Sequence, residues 1–189
     1  EIPLIKVLEN IESSGIKIEK KNLQNLSDEF KVRLIEYEKE IYKISNQHFN
    51  IASPKQLGEV LFEKMNLPGG KKTKSGAFGT SINVLEEMAS KNIKIAKLLI
   101  EWRSLSKLKS TYSDALQETI NIFTGRVHTS FSMSSASTGR LSSSDPNLQN
   151  IPIRTSDGKR IREAFVPSLD NKIFSADYSQ IELRLIAHI

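Results

Sequence analysis

The spacing of apolar residues along this 189-residue chain changes at Gly125, from three-and-four before it to two directly after it. Leu23, Leu26, Phe30, Leu34, Tyr37, Ile41 and Ile44 recur three or four apart with Lys, Arg and Glu between them, which predicts one helix with a single buried stripe. Ser53-Pro54-Lys55-Gln56 reads as a helix start, with Ser as N-cap, Pro in the first turn and Gln as the reciprocal capping partner. Leu57, Val60, Leu61 and Met65 form its buried side, and Leu67-Pro68-Gly69-Gly70 stops it. Ser81 caps a short helix that turns Val84, Leu85 and Met88 inward. A longer helix follows, carrying Ile95, Leu98, Leu99, Trp102, Leu105, Tyr112, Leu116 and Ile120. No proline lies between Pro68 and Pro146 to break it, and about 30 residues would span ~45 Å.

Past Gly125, Val127, Thr129, Phe131 and Met133 alternate as in a strand, and residues 134–158 are polar and rich in turn formers. Residues 172–176 predict a second strand ending at Asp177. Ser179-Gln180-Ile181-Glu182 then reads as a capping box opening a helix with Ile181, Leu185 and Ile186 inward. A helical half followed by strands and a helix gives an α+β fold in two subdomains.

Apolar residues are 38% and charged residues 26%, which argues against wholesale disorder, and no apolar run is long enough for a membrane-spanning helix. Without cysteine there is no disulfide, thiolate metal site or cysteine nucleophile, as suits a reducing compartment. Glu1 stands where an initiator Met would, so the sequence reads as an excerpt. The net charge of +5 is concentrated: Arg103 to Arg162 holds nine Lys or Arg against four Asp or Glu, while residues 163–189 hold two against four. A basic stretch suits a polyanion and a neighbouring acidic one suits divalent cations, although a solvated helix face explains such a stretch equally well.

Three segments hold candidate chemistry. Asp177, between a predicted strand and a helix start, could ligate Mg²⁺ or simply cap the helix with Glu182 completing the box. Arg140, Asn147, Gln149, Asn150 and Arg154 crowd donors into fifteen residues, more than a polar turn requires. Every base pair offers acceptors in the minor groove, so such donors would grip any duplex while sensing pairing geometry. The glycine-rich basic segment 69–80 reads as a mobile loop, either a plain connector or a tip that touches phosphates; it lacks the G-x-x-x-x-G-K-[ST] pattern. His48, His128 and His188 stand apart and read as structural or solvent-exposed.

TGRLSSSDPNLQNIPIR (138–154) and SADYSQIELRLIAHI (175–189) resemble the family A DNA polymerases, the bacterial DNA polymerase I family, the second segment being similar to that family's motif A. WRSLSKLKSTYSDAL (102–116), FTGRVHTSF (123–131), SPKQLGEVLFEKMNLP (53–68) and EIPLIKVLENIESSGIKI (1–18) resemble the same family in the same order. The resemblance implies a mostly helical thumb followed by an incomplete antiparallel-sheet palm. Residues 1–21 would lead in from a preceding exonuclease-like domain, 22–123 form the thumb region, and 124–189 begin the palm through motif A. It implies that Asp177 binds both catalytic Mg²⁺ ions with the Tyr178 backbone carbonyl as a further ligand. Gln180, Ile181 and Glu182 would floor the incoming-nucleotide site, Glu182 excluding a ribose 2′-OH. Arg140, Asn147, Gln149, Asn150 and Arg154 would bind primer–template near its growing end, and Lys107, Lys109, Ser110 and Thr111 would lie along the duplex.

The partners so implied are primer–template DNA and deoxynucleoside triphosphates, with no membrane, for a monomer in the bacterial cytoplasm at the nucleoid; an organellar or phage origin stays open. In that family the triphosphate-binding helix and the second metal-binding aspartate would lie beyond Ile189. Two ions ~3.5–4 Å apart need more than one shared carboxylate. The chain alone is therefore expected not to extend a primer, and no acidic cluster of the proofreading kind predicts nuclease activity. The alternative is a non-catalytic duplex-binding module built on the same fold.

Overall fold

The computed structural model describes residues 2–72 and 76–188. Helix α1 (Ile2–Ser14) and the two-residue strand β1 (Ile16–Lys17) precede the long helix α2 (Lys20–Ser45). Helix α3 (Pro54–Gly58) passes directly into a π-helical turn (Glu59–Lys64), and α4 (Ile82–Ser90) follows. The second long helix runs as α5 (Lys94–Leu108), a π-helical stretch (Lys109–Asp114) and α6 (Ala115–Glu118). It lies antiparallel to α2: Ser27 meets Asp114, Trp102 Nε1 donates to Glu38 at 3.1 Å, and Lys94 pairs with Glu40 at 3.2 Å.

The predicted α2 stripe packs as two cores joined along one helix pair. Leu23, Leu26 and Phe30 belong to a cluster with Leu105, Leu108, Leu116, Val127, Ile151 and Ile161. Ile41 belongs to another with Leu57, Leu61, Leu85, Leu99 and Trp102, and Leu34 and Tyr37 touch both. Ser53 Oγ accepts from Gln56 N at 3.4 Å, so the N-cap forms as the sequence predicts. Gln56, however, reaches past Ser53 and accepts from Asn50 N at 2.8 Å. The π turn also carries Phe62 inward, where it meets the Phe78 ring at 5.2 Å. Of the 69–80 loop, residues 73–75 lie outside the described residues; its ends are pinned together by Gly79 N donating to Lys71 O at 3.0 Å.

The long helix differs from the sequence expectation in length and winding. It covers Lys94 to Glu118 rather than about 30 residues, and its middle widens to π geometry. A π segment inserts an extra residue into the turn, so apolar spacing across it shifts from the α period.

Beyond Gly125 the alternation forms two short strands instead of one. β2 (Arg126–Val127) pairs antiparallel with β1, Ile16 opposite Val127, and β3 (Ser130–Ser132) pairs antiparallel with β4 (Ser142–Ser144). The break falls at Thr129, whose buried hydroxyl bonds Ser143 Oγ at 2.7 Å and donates toward the Pro146 carbonyl at 2.8 Å. The resulting architecture is α+β, helices first and two small antiparallel sheets after.

Helix α7 (Ser156–Glu163) occupies the end of the segment read as turn-rich. Thr155 caps it, accepting from Gly158 N at 3.1 Å, and Ile161 and Ala164 enter the first core. Its charged face docks on α2: Arg160 makes two bonds to Glu29 (2.7 and 2.6 Å), and Arg33 bonds Asp157 at 2.9 Å.

Two expectations at the C-terminal end are corrected. Residues 172–176 form no strand, because among the described residues no neighbouring strand offers the hydrogen-bond ladder that a strand requires. In α8 (Ile181–His188), Ile181, Leu185 and Ile186 are exposed, since no described element covers that face.

Candidate functional site

The long helix, the donor-rich loop and α8 are linked in series. Tyr112 belongs to the apolar stripe and is buried in the first core, yet its phenol must find a partner. It donates to the Asn150 carbonyl, fastening the π stretch to the loop. Burial raises the Tyr112 pKa, so the hydroxyl stays a donor. At the other end of the loop, Arg140 Nη2 bonds Glu182 Oε1 on α8 at 2.9 Å.

Within the loop, Asn147 Oδ1 accepts from the backbone N–H groups of Gln149 (3.0 Å) and Asn150 (3.3 Å). This Asx turn arises because a short amide side chain can mimic the backbone acceptor of a turn. Gln149 Nε2 donates to Leu141 O at 3.2 Å, closing the loop on itself. Asn147, Gln149, Asn150 and Arg154 are all exposed, and among the described residues no hydrogen bond or ion pair engages the Arg154 guanidinium.

The helix contributes side chains of two kinds. Lys107, Ser110 and Thr111 are exposed along its surface. Lys109 is committed to Asp114 at 2.6 Å, and Asp114 also accepts from Ser27 Oγ on α2. Lys109 and Asp114 therefore lock the π stretch to its neighbour. Sequence reasoning missed this partner; an Asp five residues after a Lys falls outside the α-helical three-and-four rule and meets it only where the helix widens. Arg103 supplies a further anchor, both terminal nitrogens bonding Thr80 at the end of the 69–80 loop. Burial without a carboxylate partner lowers its pKa.

Asp177, Tyr178 and Gln180 lie in the exposed segment leading into α8. Among the described residues no hydrogen bond or ion pair engages the Asp177 carboxylate, and Gln180 takes the left-handed conformation (φ 54°) at the helix start. Glu182 faces Arg140 instead of completing a box with Ser179, whose carbonyl accepts from Arg184 Nε at 3.1 Å. A free carboxylate beside a backbone carbonyl is a hard-oxygen pair suited to Mg²⁺. Among the described residues no group of three or more His, Asp or Glu could hold a metal ion, so these donors fit a share of a metal site and no more.

Two of the histidines have defined surroundings. His128 bonds the Glu12 carbonyl through Nδ1 (2.7 Å) and Thr124 Oγ1 through Nε2 (2.8 Å), tying α1 to the β2 region. His48 lies against Tyr42 with ring centroids 4.4 Å apart. His128 thus ties two elements together, while His48 is exposed beside its ring neighbour.

The profile of DNA polymerase family A matches residues 20–189. DNA polymerase I of Rhizobium leguminosarum is 50% identical over 189 residues, and that of Bacillus subtilis is 50% identical over 190; each alignment covers 100% of this chain. The POL domain of Pol1 from M. smegmatis, solved in complex with DNA primer-template and dNTP, matches with a TM-score of 0.86 at 38% identity, covering 100% of this chain and 33% of that one. The chain belongs to DNA polymerase family A. It spans about a fifth of the length of the curated relatives it matches, 19% and 21% for the two named.

Proposed function

We propose that this chain is the duplex-gripping part, and the start of the nucleotide site, of a DNA-directed DNA polymerase. Residues 22–123 serve as the thumb, 124–189 as the beginning of the palm, and 1–21 as the lead-in from a preceding domain. The observation that carries the reading is the serial linkage of Tyr112 to Asn150 and of Arg140 to Glu182, which joins a surface helix, a donor-rich loop and the motif A helix.

In this reading Lys107, Ser110 and Thr111 run along the duplex, and Lys109 keeps the π stretch in shape beside them. Arg140, Asn147, Gln149, Asn150 and Arg154 donate to groove and backbone acceptors near the primer end. Those acceptors occur at every base pair, so the grip is independent of sequence. Gln180, Ile181 and Glu182 floor the site of the incoming deoxynucleoside triphosphate, Glu182 crowding the position a ribose 2′-OH would take. Asp177 and the Tyr178 carbonyl would hold Mg²⁺, which would supply charge stabilisation for in-line attack of a primer 3′-OH on the α-phosphate. One carboxylate cannot hold two such ions, so the chain by itself does not extend a primer. The complete polymerase acts as a monomer in replication and repair at the bacterial nucleoid.

Fluorescence anisotropy of the purified chain with a recessed-end hairpin duplex and with a single strand of equal length tests the reading. Preference for the duplex, with no magnesium-dependent incorporation in a parallel primer-extension assay, is expected. Equal affinity for the single strand would overturn the duplex reading, and incorporation would overturn the inactivity of the chain.

A further inference from the structure

Among the described residues, the Arg140–Glu182 bond is the one hydrogen bond or ion pair between residues 172–188 and the rest of the chain. Both side chains are open to water, 75% and 65% exposed, so neither is buried by the contact and either can exchange partners. The two also carry opposite duties in the proposed function: Arg140 donates to the duplex, while Glu182 lies in the nucleotide site. One guanidinium cannot direct the same N–H at a carboxylate and at a groove acceptor. The geometry points to a latch. In the DNA-free protein Glu182 holds Nη2 of the guanidinium that the duplex needs, and duplex binding releases the Glu182 carboxylate toward the nucleotide site.

This inference rests on the duplex-binding reading and adds a regulatory contact to it. An exposed ion pair is a weak clamp, which suits an exchangeable latch; its competition holds back duplex binding by about two- to fivefold. Release also uncouples α8 from the loop, so DNA occupancy and the position of Glu182 are linked thermodynamically.

A double-mutant cycle on the purified chain tests the latch, with anisotropy of a recessed-end hairpin duplex as the readout. Glu182→Gln removes the carboxylate charge but keeps the side-chain shape, and is expected to tighten binding about two- to fivefold. In an Arg140→Ala background the same substitution is expected to give no gain. Asp170→Asn, which removes an exposed charge of equal sign outside the latch, is expected to leave affinity near that of the parent chain. No gain from Glu182→Gln would overturn the latch, as would an equal gain in the Arg140→Ala background or from Asp170→Asn. Absence of duplex binding in every variant would instead remove the duplex reading, and the latch with it.

Discussion

The Tyr112 hydroxyl donates to the Asn150 carbonyl, so a residue of the long helix closes one end of the donor-rich loop. Removing the hydroxyl leaves the contact to the Asn150 carbonyl unmade while the buried ring still packs. Tyr112→Phe is expected to lower stability by about 1 kcal/mol in urea unfolding. On the proposed reading it also weakens duplex affinity, because Asn147, Gln149 and Asn150 lose their fixed frame. Unchanged stability would mean that the bond contributes nothing to the joint.

The docking of α7 on α2 gives a pH-dependent prediction. The Arg160 hydrogen bonds lower the Glu29 pKa against an opposing desolvation effect, and charge attraction from Arg160 and Arg33 adds to the lowering. A carboxylate with a depressed folded-state pKa contributes its stability above the unfolded-state value and loses it as pH falls through the folded-state value. Glu29→Gln is therefore expected to cost about 0.5 kcal/mol near neutral pH and to converge on the parent chain in acid. Because the pair is partly exposed, high salt shrinks the difference. Thermal melts across an acid pH series at two salt concentrations would measure both trends.

Gly15 sits at a left-handed φ of 57°, just before β1, where an added Cβ would fall 2.6 Å from Val127 O and 2.7 Å from the His128 ring. Neither the backbone conformation nor the space suits a side chain. Gly15→Ala is expected to destabilise by about 1–3 kcal/mol. Hydrogen exchange should show the loss concentrated at Ile16, Val127 and the His128 contact with Glu12. A variant that unfolds at the same urea concentration as the parent would contradict the tight approach of β1 to β2.

The second core supplies a packing prediction. Leu99 is fully buried among α2, α4 and α5 side chains. Leu99→Ala is expected to cost about 2–5 kcal/mol by urea unfolding, the transfer and cavity terms acting together. A loss below 1 kcal/mol would show that this end of the helix pair collapses readily around the gap.

The helical half was legible because its elements satisfy themselves locally. The stripe from Leu23 to Ile44, the Ser53 cap and the inward Leu85 and Met88 all follow from helix geometry within one segment. What sequence reasoning missed depends on distant partners. Residues 172–176 have strand composition but no described strand beside them, and the apolar residues of α8 have no described surface to cover. Helix α7 was hidden because only Ile161 and Ala164 mark its buried side, although Thr155 and the Asp157-to-Arg160 charge order were local signals. The π stretch left its trace in Lys109 and Asp114, a pairing at an interval that an α-helix would not bring together. At the site, residue types alone singled out the donor-rich loop and Asp177. That Arg140 meets Glu182 across 42 residues was visible only in the fold.

Salt dependence of duplex binding tests the central claim most directly. The logarithm of the dissociation constant, measured against the logarithm of salt concentration, should rise steeply for the parent chain, because Lys107 and Arg154 are exposed cations without carboxylate partners among the described residues. Lys107→Ala and Arg154→Ala should each reduce that slope by about 0.9 if each contacts one phosphate. A slope near zero, or slopes unchanged in both variants, would contradict the account of this chain as the part of a polymerase that holds DNA.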